Sequence, residues 1–347
     1  MRITSSELLP SSTQSVHASN IVIYKGYPVY AWFGGTREGA EDVAIYIYNL
    51  HNNGETLSVG DKDGIPRWNP VLMVVEDHIF LFEKKGKFCD CWQTLFHDIT
   101  NWDHETTAKE INAKAQFLPA GLNGPVRTTP MIQSRGTCPD HVICGSSCET
   151  RWDWASYFEN YVLYRGKLEL ISKTGPLQPP KKKYYDPYYG SSVSLGAIQP
   201  VMWRDDRDNL HALFRSCRAF DTLFYSNMIS CGDTGEWSDL IPTNISNPNS
   251  AIDVININGD VYLAFNPSCT NRFPIEIAKI SQEGLDNGCF NIESKVTIEF
   301  NSDYDAMNMS SKRELSYPCL AWDGEKLHLT YTYRREKIAH SVIDISN

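Results

Sequence analysis

The stretch NPVLMVVEDHIFLFEKKG, residues 69–86, opens on a polar residue and a proline, runs through a short apolar strand and a turn, and ends a second apolar strand in charge. The same order returns in HASNIVIYKGYPVYAWFGGTREG (17–39), TPMIQSRGTCPDHVICGSSCETR (129–151), QPVMWRDDRDNLHALFRS (199–216), SAIDVININGDVYLAFNPS (250–268) and YPCLAWDGEKLHLTYTYRRE (317–336). Anchored on Ala18, Pro70, Pro130, Pro200, Ala251 and Pro318, the copies stand 52, 60, 70, 51 and 67 residues apart. A unit of about 40–50 residues holding several short strands is the period of a β-propeller blade, and loop insertions lengthen it. Proline fits as the first residue of such a strand, where its missing N–H costs no ladder bond. Six units nearly fill 347 residues, so the repeat sets the fold. It predicts an all-β chain, a six-bladed β-propeller forming a single domain over residues 1–347, with blades opening near 17, 69, 129, 199, 250 and 317.

A hydrophobic fraction of 41% suffices for a large core, and the wealth of Tyr, Trp and Phe suits sheets packed face to face. A net charge of -10 and a pI near 5.4 argue against a nucleic-acid partner, which would require a basic face. The N-terminal MRITSSELLPSSTQS lacks the apolar stretch of a signal peptide, and no run approaches the length of a membrane span. The expectation is a cytoplasmic chain with no membrane partner and with its ten cysteines reduced. The spacings of Cys138, Cys144 and Cys148 fit no common zinc pattern, and neither a metal nor a cofactor is expected. The sequons at Asn244 and Asn308 would matter only after export. The basic run 181–183, followed by YYDPYYG, reads as a solvated inter-blade loop or, alternatively, as an aromatic loop overhanging a ligand site.

In a propeller the innermost strand of every blade runs beside the axis, so matching positions of distant repeats meet around one funnel. The strand-opening residues form one set: His17, Asn69, Thr129, Gln199, Asn249 with Asp253, and Tyr317. The second-strand ends form another: Arg37 with Glu38 and Asp42, Lys84, Glu149, Arg215, Asn266 with Arg272, and Arg334. Buried charges need partners, so this mixture points to an anionic ligand with acid–base groups beside it. Plainer readings stand next to it. Arg37 can hold Asp42 or Glu38 in a surface hairpin, Tyr317 can be an ordinary strand aromatic, and Arg334 or His340 can tie the last blade to the first. Three turns, NNGETLS (52–58), HDITNW (97–102) and GDTGEWS (232–238), are expected after the second strands and resemble degenerate Asp-boxes.

The phrases FGGTREGAEDVAIYIY, NPVLMVVEDHIFLF, GPVRTTPMI, IQPVMW with LHALFRS, NPNSAIDV, and ELSYP with LHLTYTYRREKIAH resemble the sialidase superfamily in its BNR/Asp-box-repeat branch, from His17 to about Ile343. The resemblance implies a six-bladed propeller with its site in the central funnel and exo-acting glycoside hydrolysis. It also implies a tyrosine nucleophile, because an anomeric carbon that bears a carboxylate repels an anionic one. By the same resemblance Tyr317 is the nucleophile, Arg215 and Arg272 clamp the substrate carboxylate, and Arg37 precedes the acid loop. Asp42, or its neighbour Glu41, is the acid/base. Two positions depart from the pattern: His17-Ala18-Ser19 stands where a first clamp arginine belongs, and the tyrosine-activating glutamate falls at Ile198-Gln199. Glu149 or Glu314 is then expected to supply that carboxylate. The expected catalytic set is Tyr317, Asp42, His17 and Glu149; the substrate-binding set is Arg37, Arg215, Arg272, Gln199, Asn69, Asp253 and Arg334. The expected partner is an acidic oligosaccharide or glycan ending in a ulosonic or uronic acid. The alternatives are a lyase acting on a uronate and a non-catalytic glycan-binding propeller.

Overall fold

The computed structural model describes residues 1–60, 63–103, 106, 110, 114–135, 138–150, 153–179, 184–185, 192–193, 196–217, 220–230, 235–299 and 314–346. Six antiparallel sheets form a six-bladed β-propeller, with a short ribbon of Tyr184–Tyr185 and Ser192–Val193 beside them. The innermost strands are Ser15–Tyr24, Arg67–Val75, Met131–Arg135, Ala197–Arg204, Asp253–Ile257 and Leu315–Trp322. Two-residue turns whose φ angles are both positive, Lys25-Gly26 in blade 1 and Asn258-Gly259 in blade 5, match the right-handed twist of the strands they join. Blade 6 takes its outermost strand, Arg2–Leu8, from the N-terminus, paired antiparallel to Lys337–Asp344. The two ends of the chain thus meet in one blade and cover each other's strand edge.

Both faces of strands such as Ser15–Tyr24, Arg67–Val75, Leu210–Ser216 and Leu327–Tyr333 are buried, which is why these read as near-continuous apolar runs, whereas outer strands such as Lys167–Leu177 are largely exposed. In His78–Lys85 of blade 2, Ile79 and Leu81 pack towards blade 1 with Val29 and Ile47, while Phe80 and Phe82 pack towards blade 3 with Val142 and Tyr161. Each such side chain contributes about 1.5–3 kcal/mol when fully buried. Lys84 continues the face of Phe82. It does not join the funnel, as its place at a strand end suggests, but is fully buried, with an Nζ that has no hydrogen-bond partner among the described residues. Burial pulls its pKa down to about 7, against the opposing pull of Glu159, Cys144 and Glu83. Folded Lys84 is therefore largely neutral above pH 7, whereas the unfolded chain still holds that proton. Stability should rise with pH between about 7 and the ordinary lysine value. Lys84→Met is expected to stabilise the protein near neutrality by a few kcal/mol, an order-of-magnitude figure, with the gain shrinking as pH rises. Urea unfolding at about pH 7 and about pH 9.5 checks this; a gain that grows with pH would refute it.

The repeat has a backbone cause. Between His17 and Asn20, Trp68 and Val71, Ile198 and Val201, and Ser316 and Cys319, the inner strand spends one residue more than its partner. Each slip is a β-bulge whose left-handed residue is Ala18, Asn69, Gln199 or Tyr317, with φ of 54°, 37°, 54° and 57°. Arg127 and Asn249 adopt positive φ just ahead of the inner strands of blades 3 and 5. Pro70, Pro200 and Pro318 accordingly do not open their strands. They sit inside them, at the bulge, where the ladder is already broken and a missing N–H costs nothing. The Asp-box-like turns are displaced too. NNGETLS and HDITNW follow the third strands, Ala44–Tyr48 and Gln93–Asp98, because an additional short strand completes each pair into a blade. The run 181–183, residues 231–234 and Asn308 lie outside the described residues. Among the described residues Cys89, Cys91, Cys144, Cys148, Cys217, Cys269, Cys289 and Cys319 are free thiols.

Candidate functional site

Bulges re-aim side chains, and here those of blades 1, 4 and 6 bring His17, Gln199 and Tyr317 to one point. Tyr317 lies at its centre. Its ring packs on His17 with centroids 4.0 Å apart, and the guanidinium carbons of Arg127, Arg215 and Arg272 stand 5.5, 5.4 and 5.3 Å from its ring centroid. Arg215 Nη1 donates to Tyr317 Oη at 2.6 Å and to Gln199 Oε1 at 2.9 Å, while its Nε donates to Asn249 Oδ1 at 2.9 Å. A guanidinium carries five N–H groups. The two on Nη2 are bound to nothing among the described residues and are free for a ligand. Arg215 also lies over Trp154, 5.7 Å from its ring centroid.

Beside it, Arg272 donates to Glu314 at 3.3 Å and to the Asn249 carbonyl at 2.7 Å. Arg335 donates to Glu314 at 3.0 Å and to Glu38 at 2.5 Å, joining blade 6 to the turn that follows Tyr27–Gly35 in blade 1. Against burial, which would raise it, Arg335, Ser316 and Arg272 hold the Glu314 carboxyl below its ordinary value. His17 is held well below its ordinary value by burial and then by Arg335, Arg272, Arg127 and Arg215, so it is neutral. Its Nδ1 shares a hydrogen bond with Thr332 Oγ1 at 2.8 Å, and its Nε2 is buried with no partner among the described residues. Glu149 is the opposite case. Burial raises its carboxyl above the ordinary range, although Arg215 and a hydrogen bond with Gln199 oppose the shift. Three guanidiniums around a phenol, with a fourth at Glu314 and a raised carboxyl next to Arg215 and Gln199, suit an anion bound next to a proton-transfer group.

Tyr317, His17, Gln199, Arg215, Arg272 and Glu149 are thus brought together. The others are not. Arg37 and Asp42 lie exposed on the turn after Tyr27–Gly35, where the Asp42 carboxylate accepts the Thr36 N–H at 2.9 Å and the Thr36 hydroxyl. The Thr36 bonds hold that carboxyl below its ordinary value. Asn69 is buried at the blade 2 bulge. Asp253 accepts the N–H groups of Leu320 and Val254 at 2.7 and 3.0 Å. It lines a cavity of about 600 Å³ with Val74, Met202 and Trp322, residues late in the inner strands, whereas Tyr317 stands early in its own. Arg334 lies over Tyr333, 5.4 Å from its ring centroid, and it is Arg335 that reaches the cluster. Sequence reasoning passed over Arg127, Arg335 and Trp154. Arg334 and Arg335 both lie in the turn after Leu327–Tyr333 with positive φ, where strand alternation does not apply, and the pattern alone does not say which of them faces inward.

Residues 29–329 match the sequence profile of the BNR repeat-like domain. No curated protein matches the sequence. Among solved structures, a protein of unknown function from Dyadobacter fermentans superposes with a TM-score of 0.68 at 10% identity, covering 99% of both chains. The sialidase of Trypanosoma rangeli, in complex with the inhibitor DANA, superposes with a TM-score of 0.59 at 9% identity. The match covers 99% of this chain but 58% of the trypanosomal one. The α-L-arabinanase of Penicillium chrysogenum, complexed with arabinobiose, superposes with a TM-score of 0.55 at 12% identity over 99% of both chains. Identities this low carry the architecture alone, whereas the profile spans most of the repeat: on a sialidase-like six-bladed propeller, the chain belongs to the BNR repeat-like domain family.

Proposed function

We propose that this protein binds the terminal acidic sugar of a glycan in the funnel and hydrolyses its glycosidic bond. The observation that carries the reading is the phenol of Tyr317, bonded to Arg215 and ringed by guanidiniums beside a raised carboxyl. A sugar carboxylate would lie against the free edges of Arg215 and Arg272. Tyr317 Oη would attack the anomeric carbon as the bond to the aglycone breaks. Glu149 would take the phenol proton and pass it to the departing oxygen, and water would release the sugar by the reverse transfer. Turnover of aryl glycosides of hexuronic and ulosonic acids tests this; binding without turnover would leave a glycan-binding propeller, and neither would remove the reading.

One observation favours a second reaction. Neutral His17 packs on Tyr317 beside charge-neutralising arginines, a set that also suits proton abstraction from a uronate and β-elimination. Ultraviolet absorbance from a new C=C bond separates lyase from hydrolase.

Glu149→Gln is expected to lower turnover by about 10²–10⁴-fold with little change in sugar affinity. Because Glu149 must be ionised to take the phenol proton, wild-type turnover should fall as pH drops through its raised pKa, and the variant should lose that acid limb. Measuring kcat against pH for both decides it; an unchanged acid limb in the variant removes Glu149 from the reaction.

A further inference from the structure

Arg127 is a buried charge outside the acid–base set, and it crosses the axis. It lies in the segment entering blade 3, is fully buried, and has a φ of 78°. Its Nη2 donates to the carbonyl oxygens of Tyr317 and Pro318 in blade 6, both at 2.6 Å. Those carbonyls belong to the bulge between Ser316 and Cys319, where the ladder is interrupted. Tyr317 itself has a φ of 57°, a conformation a non-glycine residue keeps only where its surroundings over-determine it. In blade 4 a neutral hydroxyl suffices for the matching place: Thr128 Oγ1 donates to the Pro200 carbonyl at 2.8 Å. The Tyr317 bulge instead receives a cation whose Nε is buried without a partner. Burying an incompletely bonded guanidinium is costly, and a carbonyl grip alone does not call for it.

We propose that Arg127 is a positioning residue for Tyr317. It fixes the bulge so that the phenol meets Arg215, and it sets a cation 5.5 Å from the centre of the ring. The inference rests on Tyr317 being the reacting group of the reaction proposed above. A shift of about 1 Å in a reacting atom costs about a hundredfold in rate, so a small movement of the bulge is enough to register.

The test uses Arg127→Lys and Arg127→Gln in the full chain, with 3-fluorotyrosine at position 317 as a fluorine NMR reporter. Both variants should fold and bind glucuronic or N-acetylneuraminic acid, whichever the wild type binds, within about threefold, while turnover falls about a hundredfold. Arg127→Lys should retain more turnover than Arg127→Gln, and the fluorine resonance should move in both. Wild-type turnover or an unmoved resonance in the folded variants overturns the proposal. So does loss of folding in both while Tyr317→Phe stays folded, because Arg127 would then serve the core and not the tyrosine. If the wild type neither binds nor turns over either acid, the functional reading fails, and the fluorine resonance alone decides the positioning role.

Discussion

Arg215→Ala should abolish binding of the acidic sugar while leaving the propeller folded. Arg215 is held by Tyr317, Gln199 and Asn249, all at the funnel, and its two unspent N–H groups are those a carboxylate would take. A hydrogen bond to a charged group is worth about 1.5–3 kcal/mol, so losing a two-pronged contact should weaken affinity by roughly a hundredfold or more. The variant also leaves the amide oxygens of Gln199 and Asn249 without their donor, which adds to the loss in a partly dry site. Arg215→Lys should rescue little, since an ammonium cannot reproduce the planar fork that meets three acceptors and still presents an edge. Calorimetric titration with the two acids, beside a thermal melt, reads both halves of the expectation. Wild-type affinity in a folded Arg215→Ala would remove the anionic ligand from the account altogether.

The fold was legible because its cause repeats. Every blade needs the same apolar strand pair, and four of them break the inner strand in the same place, so Asn69-Pro70, Gln199-Pro200 and Tyr317-Pro318 stand at matching places in the sequence. What the pattern did not convey is that the proline marks a bulge inside the strand and not its beginning. That one-residue slip decides which neighbour faces the axis. Arg335 and not Arg334 reaches Glu314, from the turn that follows Leu327–Tyr333, and Arg127, ahead of the expected opening at Thr129, crosses to blade 6. Residues at or beside the bulges, His17, Gln199 and Tyr317, were found from spacing, and Arg215 and Glu149 from the ends of the second strands. Asp42 was placed at a second-strand end by the repeat and given its acid/base role by the resemblance. Its turn closes on itself through Thr36, and from the same turn Glu38 pairs with Arg335.

Tyr317→Phe separates chemistry from binding more cleanly than any other change. It removes one oxygen and keeps the ring, so the packing on His17 and the three guanidiniums around the ring should survive, as should the bulge held by Arg127. Arg215 loses an acceptor and gains an N–H that a bound carboxylate can use. Affinity for the acidic sugar should therefore be unchanged or slightly tighter. Turnover should fall by at least about a thousandfold, since a reaction split in two by a covalent intermediate has no first step without its nucleophile. A slow fluorinated substrate of the wild type should leave the sugar attached to a peptide containing Tyr317, detectable by mass spectrometry and absent from the variant. Substantial turnover by Tyr317→Phe would pass the attack to water and make Tyr317 a part of the carboxylate pocket. Lost turnover with no adduct would instead turn the phenol into a base, and the neutral imidazole of His17 packed against it would bring elimination to the front.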